Sequence, residues 1–592
     1  MAKVSKSARD LTLGVLRAFA KAKRAIPASH AGKAAKYLLN VLRHKHGGVN
    51  RVVRGLTPAM TNALAPLEAW IKTVPLATAA YVVSTLYANL VDAERKRLFA
   101  MYFTPPALAD HLVREVMERL PPNDRGTFLD PACGGAAFLL PIAIRLRKKL
   151  KASGGSDASI VKEVRGRLRG VERDPVLASL AQSFIEIALT RELGGRRLNG
   201  VVVVGDSLQL SKRDQLPRAA HIVCNPPYRK LANSERNWYL REYPQLVSQQ
   251  PNLYSLFVGA CTAALRPGGH LMLLTPTGYL TGPSFTPVRK FLREHLAIHE
   301  LQLLEDRTDV FHQVEHDLCA VFASKVPSRV HDDRTRVASW SAKAGSKLIG
   351  RMDLPLDGAL WMIPRNSRSL TAQRHSSGGS HITLADYGYV PRVGPYVWNR
   401  DTRRKLLGPP NGILRRHAVP VLWASHIRRG SRFRFIQPPR TVGRARFVIP
   451  RATDKLGFLT QSCVLIQRTS TAGQRHRLVA TAVPKSFFAR YKRALAENHV
   501  IALIPTSTTP SITSARLASI LNRASVAADI SSLSGTANIT VHSLLQLRVP
   551  LVGPRSRKAH KHKETIRSAP GIPKGFRPTL SLERSHEEAR PA

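Results

Sequence analysis

An α/β protein built on a doubly wound sheet is the fold the sequence predicts, and three observations predict it. Between about residue 100 and residue 325, short apolar runs, among them Thr127-Phe128-Leu129, 201–204, 221–224 and 270–274, alternate with helix-like stretches. Strands apolar on both faces are buried on both, so the stretches between them must be helices that cover the sheet. Successive runs also end in Asp130, Glu172, Asp206 and Asn225, polar residues at the carboxyl ends of strands, where open α/β sheets hold their ligands.

The elements follow in order. Residues 1–99 predict a basic N-terminal helical region, broken near Gly47-Gly48 and by Pro58, Pro66 and Pro75, with no strand alternation. Its first turns carry Lys3, Lys6, Arg9, Arg17, Lys21, Lys23 and Arg24 against Asp10, without the apolar core of a secretory signal. Residues 73–91 are uncharged and about long enough to span a bilayer. They hold Pro75, Ser84, Thr85 and Asn89, however, and their bulky residues Val82, Val83, Leu86, Tyr87, Leu90 and Val91 recur at helical spacing, which predicts a packed helix and no membrane. Glu94-Arg95-Lys96 has the E-x-K spacing of many nucleases but no preceding strand with a Pro-Asp, and reads as a surface helix. Residues 100–330 form the predicted sheet domain, and residues 331–553 a second domain of mixed α/β or mostly β character, with strand-like runs at 446–449 and 462–467. Residues 554–592, Lys, Arg, His, Ser and Pro without periodicity, predict a disordered basic tail.

Charge restricts the partner. The 592 residues carry 91 Lys and Arg against 39 Asp and Glu, a formal net charge of +52, which calls for a polyanion; nucleic acid is the commonest, since each cation docked on a phosphate releases counterions. The run Arg428-Arg429-Gly430-Ser431-Arg432-Phe433-Arg434-Phe435, with Arg440, Arg444, Arg446 and Arg451, mixes cations and aromatics as a backbone groove would. Arg428, Arg429, Arg432, Arg434 and Arg446 are the candidate DNA contacts. The five cysteines, Cys133, Cys224, Cys261, Cys319 and Cys463, are widely separated with no C-x-x-C. Neither a metal site nor a disulfide framework follows, and a reducing cytoplasm fits best.

The chemistry concentrates in Asn225-Pro226-Pro227-Tyr228, directly after the apolar run 221–224. Two prolines stiffen that turn. An aromatic amine is a poor nucleophile because its lone pair is delocalised into the ring; a catalyst assists by accepting hydrogen bonds from the amino hydrogens, which favours a tetrahedral nitrogen. The Asn225 side-chain oxygen and the Pro226 carbonyl are suitable acceptors. The ring of Tyr228 offers a surface on which a planar base can stack for in-line attack on a sulfonium methyl. Upstream, Leu129-Asp130-Pro131-Ala132-Cys133-Gly134-Gly135-Ala136-Ala137-Phe138 runs from a strand through a small-residue loop into a helix, letting a ligand approach the backbone. Glu172, beside Arg173, stands where an acid can take both hydroxyls of a ribose. Asp206, followed by Ser207, stands where a carboxylate can accept from an adenine amino group.

In these residues and their order the chain resembles the gamma-class amino-methylating DNA methyltransferases, whose TaqI-like members carry a C-terminal target-recognition domain. The resemblance covers about residues 100 to 550. It implies a Rossmann-like methyltransferase sheet, S-adenosyl-L-methionine as cofactor, double-stranded DNA as partner, and the N6 amino group of a flipped-out adenine as acceptor, in a restriction-modification or related system with or without a separate restriction endonuclease. By resemblance, Tyr102-Phe103-Thr104-Pro105-Pro106 matches the opening motif that contacts the methionine end of the cofactor, so Tyr102, Thr104 and Pro105 join Asp130, Ala132, Cys133, Gly134, Glu172, Arg173, Asp206, Ser207 and Asn225 as cofactor residues. Asp309-Val310-Phe311 looks like the segment whose Phe packs against the flipped base, which makes Phe311 a second stacking wall beside Tyr228. The segments 393–399, 419–423 and 535–540 look like signposts of the recognition domain. One departure stands out: Ala136 replaces a usual glycine, and its methyl is expected to crowd the cofactor. The same tetrapeptide chemistry serves enzymes acting on RNA amines and on protein glutamine amides, and an inactive DNA-binding subunit is the non-enzyme alternative; the opening motif and the large basic second domain favour DNA.

Overall fold

The computed structural model describes residues 6–49, 52–99, 101, 103–231, 233–246, 252–305, 317–325, 334–365, 367, 370, 381–412, 414–430, 432–436, 444–451, 457–469, 476–508, 510–533 and 539–551. The elements below lie in the unit Met1–Val549, which is separate from Pro550–Ala592. The predicted tail, 554–592, falls outside the described residues.

The chain opens with five helices: α1 (Lys6–Ala25), α2 (Ala31–Lys45), α3 (Pro58–Ile71), α4 (Leu76–Leu90) and α5 (Ala93–Phe99). Their starts follow local chemistry. Thr57 caps α3 by accepting from the Met60 N–H at 3.3 Å, with Pro58 in the first turn. The uncharged stretch 73–91 forms α4, and Val82, Val83, Leu86, Tyr87 and Leu90 are buried on it. No described helix is long and apolar enough to cross a membrane. Glu94-Arg95-Lys96 lies on α5.

A nine-stranded sheet follows: β1 (Phe128–Asp130), β2 (Leu168–Glu172), β3 (Val202–Val204), β4 (Ala219–Cys224), β5 (Leu265–Pro276), β6 (Ala297–Leu304), β7 (Leu318–Ser324), β8 (Thr335–Ser341) and β9 (Gly345–Met352). Its spatial order is β3-β2-β1-β4-β5-β7-β6-β8-β9. The first five strands are parallel, β7 enters antiparallel between β5 and β6, and β8 with β9 carries the sheet past residue 330 to Met352. The crossovers include α6 (Pro106–Glu118), α7 (Leu139–Ala152), α8 (Asp157–Arg167) and α9 (Pro175–Ala188).

Strand periodicity divides the core in two. Phe128, Val223, Met272 and Leu274 face one apolar cluster, while Leu129, Ile222, Cys224, Leu271 and Leu273 face the other. The first cluster also takes in Leu38, Leu42, Leu64, Val83, Leu86 and Tyr87. The N-terminal helices therefore share a core with the sheet, on the face that α7 and α9 also cover. Burying them there removes an apolar face that an isolated basic helical arm would leave in water.

Beyond Met352 the chain forms short strands: β10 (His381–Ile382), β11 (Tyr389–Val393), β12 (Lys405–Leu406), β13 (Val419–Leu422), β14 (Phe447–Val448), β15 (Cys463–Gln467), β16 (Ala480–Val483), β17 (Leu495–Ala496) and β18 (Val500–Pro505). Two four-stranded sheets result, ordered β11-β18-β15-β16 and β12-β14-β13-β17, with helices Lys485–Tyr491, Ser514–Leu521 and Ala524–Leu533 beside them. This second region is mixed α/β, and its runs at 446–449 and 462–467 contain strands β14 and β15.

Candidate active site

The carboxyl ends of β1, β2, β3 and β4 open onto a cleft whose empty space, open solvent included, is about 960 Å³. Thr104, Asp130, Ala132, Cys133, Gly134, Glu172, Arg173, Asp206, Ser207, Asn225, Pro226, Pro227 and Tyr228 all line it. Strand order assembles all but Thr104, which enters ahead of α6: β3, β2, β1 and β4 are neighbours, so residues far apart in sequence come together at one edge. Pro105 instead sits at the start of α6 as its N-cap, one position back from the wall. Tyr102 and Phe311 lie outside the described residues.

The loop after β1 is shaped by backbone. Gly134 has φ +51°, and a Cβ there would meet the Phe103 ring at 3.3 Å; at Gly135 it would come within 2.0 Å of the Ser84 hydroxyl oxygen on α4. Ala136 corrects an expectation. It has φ +61°, is fully buried in the apolar core shared with the N-terminal helices, and is absent from the residues that line the cleft, Gly134 and Ala137 on either side of it being among them. What it costs is left-handed backbone strain, of order 1 kcal/mol.

The acids differ in what holds them. Asp130 accepts from the Ala132 N–H at 3.1 Å and is buried; burial, with the nearby Glu172 charge adding, pushes its carboxyl up to about 8. Glu172 accepts from the Gly134 N–H at 2.9 Å through Oε2 and from the Asp174 N–H at 2.8 Å through Oε1. Its protein surroundings push it up to about 7, against the pull of those backbone donors, with the Asp174 charge raising it further. Each carboxylate oxygen of Glu172 keeps a second lone pair for a ligand. Asp206 caps helix Ser207–Lys212 by accepting from the Leu208 N–H at 3.0 Å, and its other oxygen lies 3.6 Å from Arg173 Nε. The capping role open to any acid at a strand end is thus present here beside a place on the cleft wall.

At the end of β4 the Asn225 amide is oriented from both sides. Its Nδ2 donates to the Thr104 hydroxyl at 2.9 Å, and its Oδ1 accepts from the Tyr228 hydroxyl. The Tyr228 hydroxyl also faces the Leu274 carbonyl at 2.8 Å. One phenolic proton serves two acceptors, so giving it to Leu274 leaves Asn225 Oδ1 open. The Tyr228 ring is half-buried and meets Tyr254 edge-on at 6.4 Å.

Sequence reasoning missed Leu98, Met101, Tyr239 and Phe257, which also line the cleft. They come from helices and connections whose position is set by tertiary packing, and carry no motif of their own.

The comparisons with known proteins agree with this geometry. Residues 220–311 match the Eco57I restriction-modification methylase family, a segment that starts on β4 and includes the Asn225-Pro226-Pro227-Tyr228 turn. The type II methyltransferase M.PstI of Providencia stuartii is 28% identical over 298 residues, covering 47% of this chain and 56% of that protein. The match thus spans little more than half of that relative. Among solved structures, the type IIL restriction-modification enzyme MmeI, in complex with DNA, aligns with a TM-score of 0.52 at 12% identity, over 92% of this chain and 83% of that one. The DrdV–DNA complex aligns with a TM-score of 0.47 at 11% identity, over 83% and 63% of the two chains. The fold is a Rossmann-like α/β methyltransferase fold with additional domains.

The basic run in the second region alternates. Arg432 and Arg434 are exposed, while Phe433 and Phe435 turn inward onto His426, Phe487 and Tyr491. The aromatics expected to share a groove with the arginines are half-buried and pack against the apolar core instead, because strand-like alternation puts neighbours on opposite faces. Arg428 is exposed; Arg429 is exposed but bonded to His476 and, at 2.6 Å, to the Asn522 carbonyl. Arg446 is half-buried, 5.0 Å over the Phe435 ring and donating to the Phe435 carbonyl at 3.3 Å. Arg440 lies outside the described residues. Of the three signpost segments, two are structural: Tyr396 meets Trp423 perpendicularly at 6.0 Å, and Trp423 Nε1 donates to the Ala445 carbonyl at 2.8 Å. In the third, 535–538 fall outside the described residues.

Proposed function

We propose that this chain is a gamma-class restriction-modification DNA methyltransferase, which moves the methyl group of S-adenosyl-L-methionine to the N6 amino group of an adenine turned out of duplex DNA. The observation that carries this reading is the Asn225-Pro226-Pro227-Tyr228 turn on the cleft wall, inside the segment that matches a restriction-modification methylase family. The similarity to the type II methyltransferase M.PstI supports the same reaction class.

The cleft suits that cofactor. Gly134 lets a ligand approach the backbone, and Asp130 and Glu172 are enclosed carboxyls whose ionisation a cationic ligand favours. Glu172 would hold the ribose hydroxyls, Asp206 the adenine amino group, and Thr104 with the loop at Asp130 the methionine end. Bound there, the cofactor supplies an electrophilic methyl on a sulfonium. The chain's own residues do the rest. Thr104 fixes the Asn225 amide so that Oδ1 faces the incoming amine, and Asn225 Oδ1 with the Pro226 carbonyl accepts the amino hydrogens. Tyr228, tethered through its hydroxyl, presents its ring to the base. Extruding that base costs a few kcal/mol of unstacking, which phosphate contacts from Arg428, Arg432 and Arg434 would offset.

The test is transfer of labelled methyl to unmethylated genomic duplex DNA, with product nucleosides resolved, beside RNA and protein substrates. N6-methyladenine in DNA is the expected product. Label confined to RNA or to glutamine amides would overturn the substrate, and a protein that binds cofactor and DNA without any transfer would be an inactive DNA-binding subunit.

A further inference from the structure

The stretch from α5 to the start of α6 touches the cleft and its supporting turns at successive points. Arg95 donates to Asp174 from Nη2 at 2.7 Å and from Nε at 3.2 Å. The Leu98 carbonyl accepts from Arg229 Nε, just past Tyr228, at 3.1 Å. Met101 and Phe103 line the wall, and Thr104 holds Asn225. A single short stretch thus reaches the β2 turn and the β4 turn, which carry the two halves of the site.

Asp174 is the pivot of the first half. It is fully buried, caps α9 by accepting from the Val176 N–H at 2.9 Å and the Leu177 N–H at 3.0 Å, and accepts from the Tyr87 hydroxyl at 3.1 Å. Its own N–H is the donor that holds Glu172 Oε1. A buried carboxylate of this kind requires a cation, and Arg95 supplies it from a side chain that is 39% exposed.

We propose that Arg95 is a positioning residue for the cofactor half of the cleft: by neutralising and anchoring Asp174 it fixes the turn that aims Glu172 at the ligand, without touching the ligand itself. The proposal rests on the cleft being the S-adenosylmethionine site. It makes α5 part of the active-site frame. The groups whose charge bears on Glu172 are Asp130, Cys133, Asp174, Tyr87 and, through Asp174, Arg95, while Arg173 acts through its backbone N–H. Removing the Arg95 cation leaves the Asp174 charge less compensated, which disfavours the Glu172 carboxylate.

The experiment measures S-adenosylhomocysteine binding to the full-length protein by calorimetry across the neutral pH range, for wild type, Arg95→Met and Arg95→Lys. Arg95→Met is expected to weaken binding roughly tenfold and to move the pH midpoint of binding upward, Arg95→Lys recovers much of both, and kcat at saturating cofactor changes little. Wild-type affinity and midpoint in Arg95→Met would overturn the proposal, as would a lowered melting temperature in both variants with an unmoved midpoint, the mark of a merely structural contact. Should Arg95→Met not fold, Arg95→Gln, which removes the cation but keeps a donor for Asp174, decides: a midpoint left at the wild-type value overturns the proposal. Wild type failing to bind S-adenosylhomocysteine would overturn the cofactor reading beneath.

Discussion

The amide nitrogen of Asn225 donates to the hydroxyl of Thr104 at 2.9 Å across 121 residues of sequence. That bond anchors the amide with its nitrogen on Thr104, and the orientation matters because an amide turned the other way would present a donor to an amine that needs an acceptor. Thr104→Val, isosteric but without the hydroxyl, is expected to lower the methyl-transfer rate about tenfold and to weaken cofactor affinity by less than that, while Thr104→Ser retains most activity. Steady-state kinetics beside ligand titration separate the two effects. A loss of cofactor binding alone would mean that Thr104 serves the ligand and not the amide.

Asn225 itself is the acceptor on which transfer depends. Asn225→Ala should reduce turnover by a factor of about a hundred or more and leave S-adenosylmethionine binding close to wild type. Single-turnover transfer to DNA, run with equilibrium dialysis of the cofactor, checks both halves; a variant that keeps most of its turnover would sink the assignment.

These two residues also mark what a reader of the sequence can and cannot see. Asp130, Glu172, Asp206 and Asn225 are legible because each ends an apolar run, and parallel strands deliver their carboxyl ends to one edge whatever the details of the helices. Thr104 is legible only through resemblance, and the contact of Arg95 with Asp174 not at all: it joins residues 79 apart, brought together once α4 packs into the core shared with the sheet. Arg428 to Phe435 shows the opposite failure. Its composition suggests a groove mixing rings with cations, yet the rings of Phe433 and Phe435 pack against the core and only the arginines stay outside. Ala136 misleads for the same reason, since the side of the loop that its methyl takes depends on a positive φ that composition does not reveal.

The raised carboxyls carry a pH signature. Asp130 and Glu172 bind their protons more tightly folded than unfolded, so the stability they allow is fully present below about pH 4, the range in which both states are protonated, and is lost as pH rises through about 7 to 8. The ligand-free protein should therefore melt at progressively lower temperature over that window, and Asp130→Asn should flatten the trend. Cofactor affinity runs the other way. Between about pH 6 and about pH 8 the ionisation of Glu172 should tighten binding about tenfold; an affinity independent of pH would remove Glu172 as the ionised partner.

The loop after β1 predicts a contrast between adjacent positions. Gly135→Ala puts a methyl within 2.0 Å of the Ser84 hydroxyl oxygen on a buried helix, and overpacking of this kind costs about 1–3 kcal/mol, read as a clear fall in melting temperature. Ala136→Gly exchanges strain relief against a lost buried methyl, each about 1 kcal/mol, and should leave both stability and cofactor affinity close to wild type. A large affinity gain in Ala136→Gly would mean that the methyl faces the ligand after all.

The arginines of the second region divide by what they touch. Arg432 and Arg434 are exposed on the alternating run, whereas Arg446 is folded over Phe435 and bonded to its carbonyl. If the exposed pair docks on phosphates, Arg432→Gln and Arg434→Gln should each weaken DNA binding uniformly across sequences and lower the slope of log affinity against log salt by about 1, with the melting temperature unchanged. Arg446→Gln should instead lower the melting temperature, because it removes a cation–π contact and a hydrogen bond from a partly buried site, and should leave the salt slope nearly as it was. Fluorescence anisotropy on a short duplex at several salt concentrations, beside thermal melts, reads both. An Arg446→Gln variant with full stability and a reduced salt slope would reverse the division and move the DNA surface toward β14.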